Sequence, residues 1–169
     1  MIILRTPISV EQIEGLNIGD KFEIHGRVLC GRDAVLPKLA RLIRAGAPLI
    51  EGIGLTGSVI FHTAVSPAGI GPTTSNKAEI EESIPDLAAA GVRIHLGKGS
   101  VGSKTIEALA ANHSVFAVTP PVTALFSHRI TGRKVVAFAE EGMEALWAIE
   151  VNGLPGIVAA AHGQNIFAR

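Results

Sequence analysis

The chain has 169 residues, 47% of them hydrophobic and only 18% charged, and its Lys and Arg residues exactly balance its Asp and Glu residues. That apolar balance, with a mean hydropathy of +0.39, excludes intrinsic disorder, and a net charge of zero excludes the basic field that nucleic acid or an anionic membrane selects. The single cysteine, Cys30, cannot by itself build a disulfide framework, a tetrathiolate zinc site or an iron–sulfur cluster.

One domain is expected for this length, and the apolar excess predicts that a partner covers part of its surface. Met1–Pro7 lacks a basic head and a long apolar run, so no secretory leader is expected. A reducing, cytoplasmic setting fits the low cysteine usage. Residues 52–76, 108–127 and 151–168 contain no Asp, Glu, Lys or Arg, but Gly, Pro or Asn interrupts each. They read as buried core with turns, and no membrane span is expected.

In chain order, Ile2–Leu4 predicts a short strand, and Ser9 opens a short helix with Gln12 as its capping-box partner. Gly19-Asp20 predicts a turn, and Lys21–Leu29 a strand. Asp33 is expected to cap a helix that runs to Ala45 and stops at Gly46. Ser58–Thr63 predicts a buried strand. Asn76 is expected to open a further helix, with Pro85 splitting it in two and Ser83 and Asp86 capping the second half, which ends at Gly91. Val92–Leu96 predicts a strand, Ser103–Asn112 a helix, Val115–Val118 a strand and Val122 to about Arg129 a helix. Lys134–Ala139, Trp147–Val151 and Ile157–Ala160 predict strands, and His162–Asn165 a turn before a last short strand. This is an α/β domain with a mixed sheet.

Three loops carry the polar chemistry. Gly97-Lys98-Gly99-Ser100-Val101-Gly102 fits G-x-G-x-x-G between a strand and a helix, but residues 108–127 lack the acid that a dinucleotide fingerprint needs. What remains is a glycine-rich turn whose backbone N–H groups and Lys98 favour an anion. Arg32, in Gly31-Arg32-Asp33, can grip a carboxylate through two parallel N–H bonds. Gly71-Pro72-Thr73-Thr74-Ser75 sets three hydroxyls at a helix entry, with Thr73 pointing toward a cleft and Lys77 one turn on. If the strands are neighbours, these loops meet at one sheet edge. Cationic groups, a hydroxyl and no acid suit a dicarboxylate. The six histidines lack metal-ligand spacing and read as core or surface residues; His62 and His95 lie in strands leading toward the loops.

The motifs Gly31-Arg32-Asp33, Gly71-Pro72-Thr73-Thr74-Ser75, Gly97-Lys98-Gly99 and Gly142-Met143-Glu144-Ala145-Leu146-Trp147, in that order across essentially the whole chain, resemble the β subunit of class I fumarate hydratase. The β subunit of L-tartrate dehydratase is nearly as close. The resemblance implies a single swivelling β/β/α domain. It also implies a hydro-lyase that reversibly hydrates a small dicarboxylic acid, fumarate to malate first and tartrate as a relative. It implies a partner α subunit holding an oxygen-sensitive [4Fe-4S] cluster, with no metal on this chain, and an α2β2 or homo-oligomeric assembly. Carried over residue by residue, Arg32 and Lys98 bind substrate carboxylates, Gly71 and Thr74 line the substrate, and Thr73 is the base. Lys77 takes the place of the family's usual arginine, keeping the charge without the bidentate fork. The loop between His62 and Gly71 is shorter than usual. These departures motivate the alternative, a non-catalytic homo-oligomeric anion-binding or scaffolding paralogue.

Overall fold

Strands whose inward and outward residues are both apolar must be covered on two faces, and this chain supplies both covers. Its computed structural model describes residues 1–66, 69–70, 77–119 and 129–167, with the side chains of 66, 69–70 and 77–80 outside that set. The expected helix after Val122 and the expected cap at Asn76 lie outside the described residues.

The elements are β1 (Ile2–Arg5), α1 (Val10–Glu14), β2 (Lys21–Cys30), α2 (Leu36–Ala45), α3 (Leu49–Ile53), β3 (Val59–Phe61), β4 (Val65–Ser66), β5 (Gly69–Ile70), α4 (Lys77–Ala89), β6 (Ile94–Gly97), α5 (Ser103–Ala111), β7 (Val115–Val118), β8 (Ile130–Ala137), a 3-10 turn (Ala139–Glu144), β9 (Leu146–Ala161) and β10 (Gln164–Asn165). β2, β3, β6 and β7 run parallel in that order. β9 runs antiparallel to both outer members, pairing with β7 near its end and with β2 along most of its length. The path β2-β3-β6-β7-β9 therefore returns to β2, and the sheet closes into a ring. β1 and β8 extend it. The result is one mixed α/β domain. Among the described residues no helix is long and apolar enough to cross a membrane.

Alternation along the strands divides the core. Phe22, Ile24, Val59, Phe61, Ile94, Leu96, Val115 and Ala117 face into the ring and form one apolar cluster. Leu29, Ile60 and Phe116 face outward and pack under Leu36 and Leu39 of α2, Ile84 and Leu87 of α4 and Leu109 of α5. This double burial accounts for much of the apolar excess that the composition assigns to a partner.

Several expectations are corrected. Asp33 is not a cap: the helix starts at Leu36 with Val35 before it and no side-chain cap. An N-cap at Asp33 would require the residue four positions on to donate to its carbonyl, and that residue, Pro37, has no N–H. Placing Pro37 in the first turn removes the conflict. Pro85 does not split α4, which runs through it. An internal proline costs about 3 kcal/mol, whereas burying Ile84 and Leu87, both 0% exposed, returns about 1.5–3 kcal/mol each. The two strands expected around 153–156 are a single strand, β9. Gly153 (φ 89°) absorbs the irregularity, opposite a register shift at Ile24/His25. The last turn is only His162-Gly163, both left-handed, so the final strand begins at Gln164. The Ser9–Gln12 capping box forms as expected.

Gly156 leaves the space that the buried Phe22 ring fills; a Cβ there would lie 2.5–3.2 Å from three ring carbons. Gly156→Ala is expected to destabilise the chain by about 1–3 kcal/mol, read from urea unfolding. An unchanged midpoint would show that Phe22 can move aside.

Candidate functional site

Because β2, β3, β6 and β7 are parallel neighbours, the residues that follow them emerge along one edge of the sheet. The register sets Cys30 beside Phe61, Phe61 beside Leu96 and Gly97 beside Val118. Arg32, the His62-Thr63 pair, Lys98 and Thr119 therefore share that edge, at the carboxyl ends of the parallel strands. Two of the three cation-bearing loops, those of Arg32 and Lys98, lie along this edge, with β3 between their strands. Gly71, Thr73 and Thr74 lie outside the described residues, and Lys77 is described only as the first residue of α4.

Each side chain is set by its local backbone. Gly31 packs where a Cβ would lie 2.9 Å from Val35 and 3.2 Å from Leu146, so the turn into Arg32 sits tight against the start of β9. The Arg32 carbonyl accepts from the N–H groups of Val35 and Leu36, at 3.1 and 2.9 Å. Arg32 Nε donates to Glu144 Oε1 and Oε2 at 2.9 and 2.8 Å, and Nη2 donates to Oε1 as well. This bidentate contact holds the guanidinium even more firmly protonated than usual. Glu144 ends the 3-10 turn, which is tied to α2 by a Lys38–Glu141 ion pair and to β9 by Trp147 Nε1 donating to the Gly142 carbonyl at 3.3 Å.

Lys98 is exposed, between Gly97 and Gly99. Gly97 is needed because a Cβ would meet His62 Nδ1 at 3.0 Å and the Phe116 ring at 3.1 Å. Gly99 turns the chain at φ 78°. The N-terminus of α5, expected to favour an external anion, is met by the chain itself: Gly102 N–H donates to Glu81 Oε1 at 3.0 Å. Sequence reasoning missed both carboxylates. Glu144 acts across 112 positions and Glu81 across 21, so no local spacing reveals either; Glu144 figured only inside a motif of the resemblance.

His62 and His95 are buried just behind the edge, with ring centroids 6.2 Å apart. His62 Nε2 and both ring nitrogens of His95 have no hydrogen-bond partner among the described residues. Burial pushes the His62 ring down to about 4. The same desolvation, aided by the proximity of His62, drives His95 well below its ordinary range. Both rings are therefore neutral at pH 7. Among the described residues no group of three or more His, Cys, Asp or Glu could hold a metal ion. Cys30 lies inside the ring, 0% exposed, where desolvation raises its thiol and keeps it from the thiolate form that ligation needs. The described residues of this chain thus do not fit an iron–sulfur cluster.

The buried histidines set a pH dependence. From their ordinary 6.5 downward, the unfolded chain takes up protons that the folded rings refuse. Stability is expected to fall as pH drops below 6.5, down to about 4 for His62 and further for His95, with a slope that approaches about tenfold in the folding constant per pH unit for each histidine. Urea unfolding at pH 7, 6 and 5 measures the slope, and His95→Gln should make it shallower. Equal slopes for both proteins would mean that His95 becomes protonated in the folded state.

A family model described as Fumarase C-terminus matches residues 1–169. The chain is 28% identical over 179 residues to the putative fumarate hydratase class I of Geobacillus stearothermophilus, covering 98% of this chain and 33% of the relative. It is 28% identical over 165 residues to the anaerobic fumarate hydratase class I of Escherichia coli K12, covering 92% of this chain and 30% of the relative. It is 28% identical over 179 residues to the L(+)-tartrate dehydratase subunit beta of the same organism, covering 98% of this chain and 86% of the relative. The chain thus spans about a third of the fumarate hydratases it matches and most of the tartrate dehydratase subunit. With a match that runs from its first residue to its last, the chain belongs to the fumarase C-terminal family.

Proposed function

We propose that this chain is the β part of an iron–sulfur hydro-lyase that reversibly adds water across the double bond of a small dicarboxylate, with fumarate and malate as the first pair and tartrate as the relative. The observation that carries the reading is the pair of cationic loops at one sheet edge. Arg32 follows β2 and Lys98 follows β6, two strand spacings apart, or about 10 Å. At that separation the fixed Arg32 guanidinium and the exposed Lys98 side chain can meet the two ends of a four-carbon diacid, each through a charge-assisted hydrogen bond.

In this reading Arg32, Lys98 and Lys77 clamp the carboxylates, Gly71 and Thr74 line the substrate, and Thr73 takes the proton from carbon. A threonine hydroxyl is a poor base, so the assembled site has to activate it. The cluster belongs to a partner α subunit in the cytoplasm, and the domain is a swivelling β/β/α unit that closes over it in an α2β2 assembly. The alternative, a non-catalytic anion-binding or scaffolding homo-oligomer, draws support from one observation: the chain's own Glu144 and Glu81 already occupy Arg32 and the α5 N-terminus.

Anaerobic co-expression with the candidate α subunit, cluster reconstitution and fumarate absorbance with malate, fumarate and tartrate separate the two. Turnover that needs both chains supports the hydro-lyase. A homo-oligomer that binds succinate but forms no complex with an α chain supports the alternative. In the active assembly Lys98→Ala is expected to lower kcat/KM at least about tenfold, the loss of one charged contact; unchanged kinetics would remove Lys98 from the clamp. Thr73→Ala is expected to abolish turnover while succinate still binds, and normal turnover would remove Thr73 from the chemistry.

A further inference from the structure

A guanidinium has two bidentate edges, the side-on edge of Nε with Nη2 and the end-on edge of Nη1 with Nη2. Glu144 takes the side-on edge of Arg32: Nε lies 2.9 and 2.8 Å from its two oxygens, and Nη2 completes the contact. Among the described residues no hydrogen bond is found from Nη1, and the end-on edge has the geometry to take a second carboxylate.

Both partners are themselves fixed. Arg32 leaves a turn wedged by Gly31 against Val35 and Leu146. Glu144 leaves a turn pinned at Glu141 by Lys38, bent at Gly142 (φ 60°, ψ −120°) and followed by the fully buried Ala145 and Leu146. The two side chains are 26% and 27% exposed, and pairs with that much access to water add little stability. What a bidentate contact between two anchored residues does supply is direction.

We propose that Glu144 is a positioning residue: it holds Arg32 by the side-on edge so that the end-on edge alone meets a substrate carboxylate. The proposal rests on the assignment of Arg32 to the substrate made above. It carries a signature that a merely structural contact lacks. The Glu144 carboxylate occupies the adjoining edge of the guanidinium and shares Nη2 with it; its charge repels an arriving anion, so removing that charge does not weaken binding. It does release the guanidinium to rotate, and misorientation appears in turnover.

In the active two-chain assembly, Glu144→Gln, which keeps the side-chain shape, is expected to lower kcat about tenfold. KM for malate should stay the same or fall, and so should the dissociation constant of succinate, a diacid that cannot be dehydrated, measured by calorimetry. In an Arg32→Ala background Glu144→Gln should change neither kcat nor succinate affinity further, because Glu144 acts through Arg32. Weaker succinate binding by Glu144→Gln, or the same loss of kcat in both backgrounds, would overturn the proposal. If Arg32→Ala alone leaves kcat and succinate affinity unchanged, the underlying assignment of Arg32 is what has failed, and the proposal falls with it.

Discussion

The structure depends on the hydrogen bonds that β9 makes along both of its sides. One side follows β2 from Lys21↔Ile157 to Cys30↔Trp147; the other meets β8 at Leu146–Val151 and β7 at Ile157–Ala160. Without that strand the four parallel strands would form an open sheet with two bare edges, and the apolar residues of the inner cluster would face water. Closing the ring buries them, leaves the outer face for the helices, and fixes the strand ends in one row. The site inherits its spacing from this closure. Arg32 and Lys98 share an edge because β2 and β6 are locked in register through β3, and Glu144 reaches Arg32 because β9 starts beside the end of β2.

The same closure explains which parts of the fold can be read from the sequence. The Ser9–Gln12 cap, the alternation in β2, the β6-α5-β7 unit and the Gly46 stop are local signals, and the structure reproduces them. The misreadings at Pro85 and at Gly153–Gly156 share a cause. Proline and glycine mark breaks when only neighbours in sequence are considered, yet here tertiary contacts override them: the packing of Ile84 and Leu87 in one case, and the Phe22 ring over Gly156 in the other. At the site, the order of loops was legible because parallel strands separated by helices must present their ends together. The anionic partners were not legible. Glu81 and Glu144 come from elements that only the folded chain brings to those loops.

Electrostatically, the edge is more nearly balanced than its loops suggest. Arg32 is met by Glu144, Lys38 by Glu141, and the α5 N-terminus by Glu81, which leaves Lys98 as an exposed cation at the edge. An anion approaching this chain alone therefore meets a site already partly neutralised from within. Such a site discriminates by the geometry of the remaining donors more than by attraction at a distance.

Cys30 gives the ring a further property. Its thiol is completely enclosed on β2, facing the inner cluster, and burial keeps it protonated. Alkylating reagents attack the thiolate, so they have no target until the strands around it separate. As the only cysteine in the sequence, and the last residue of β2, it makes the rate of covalent labelling a measure of how often that strand end parts from its neighbours in the ring.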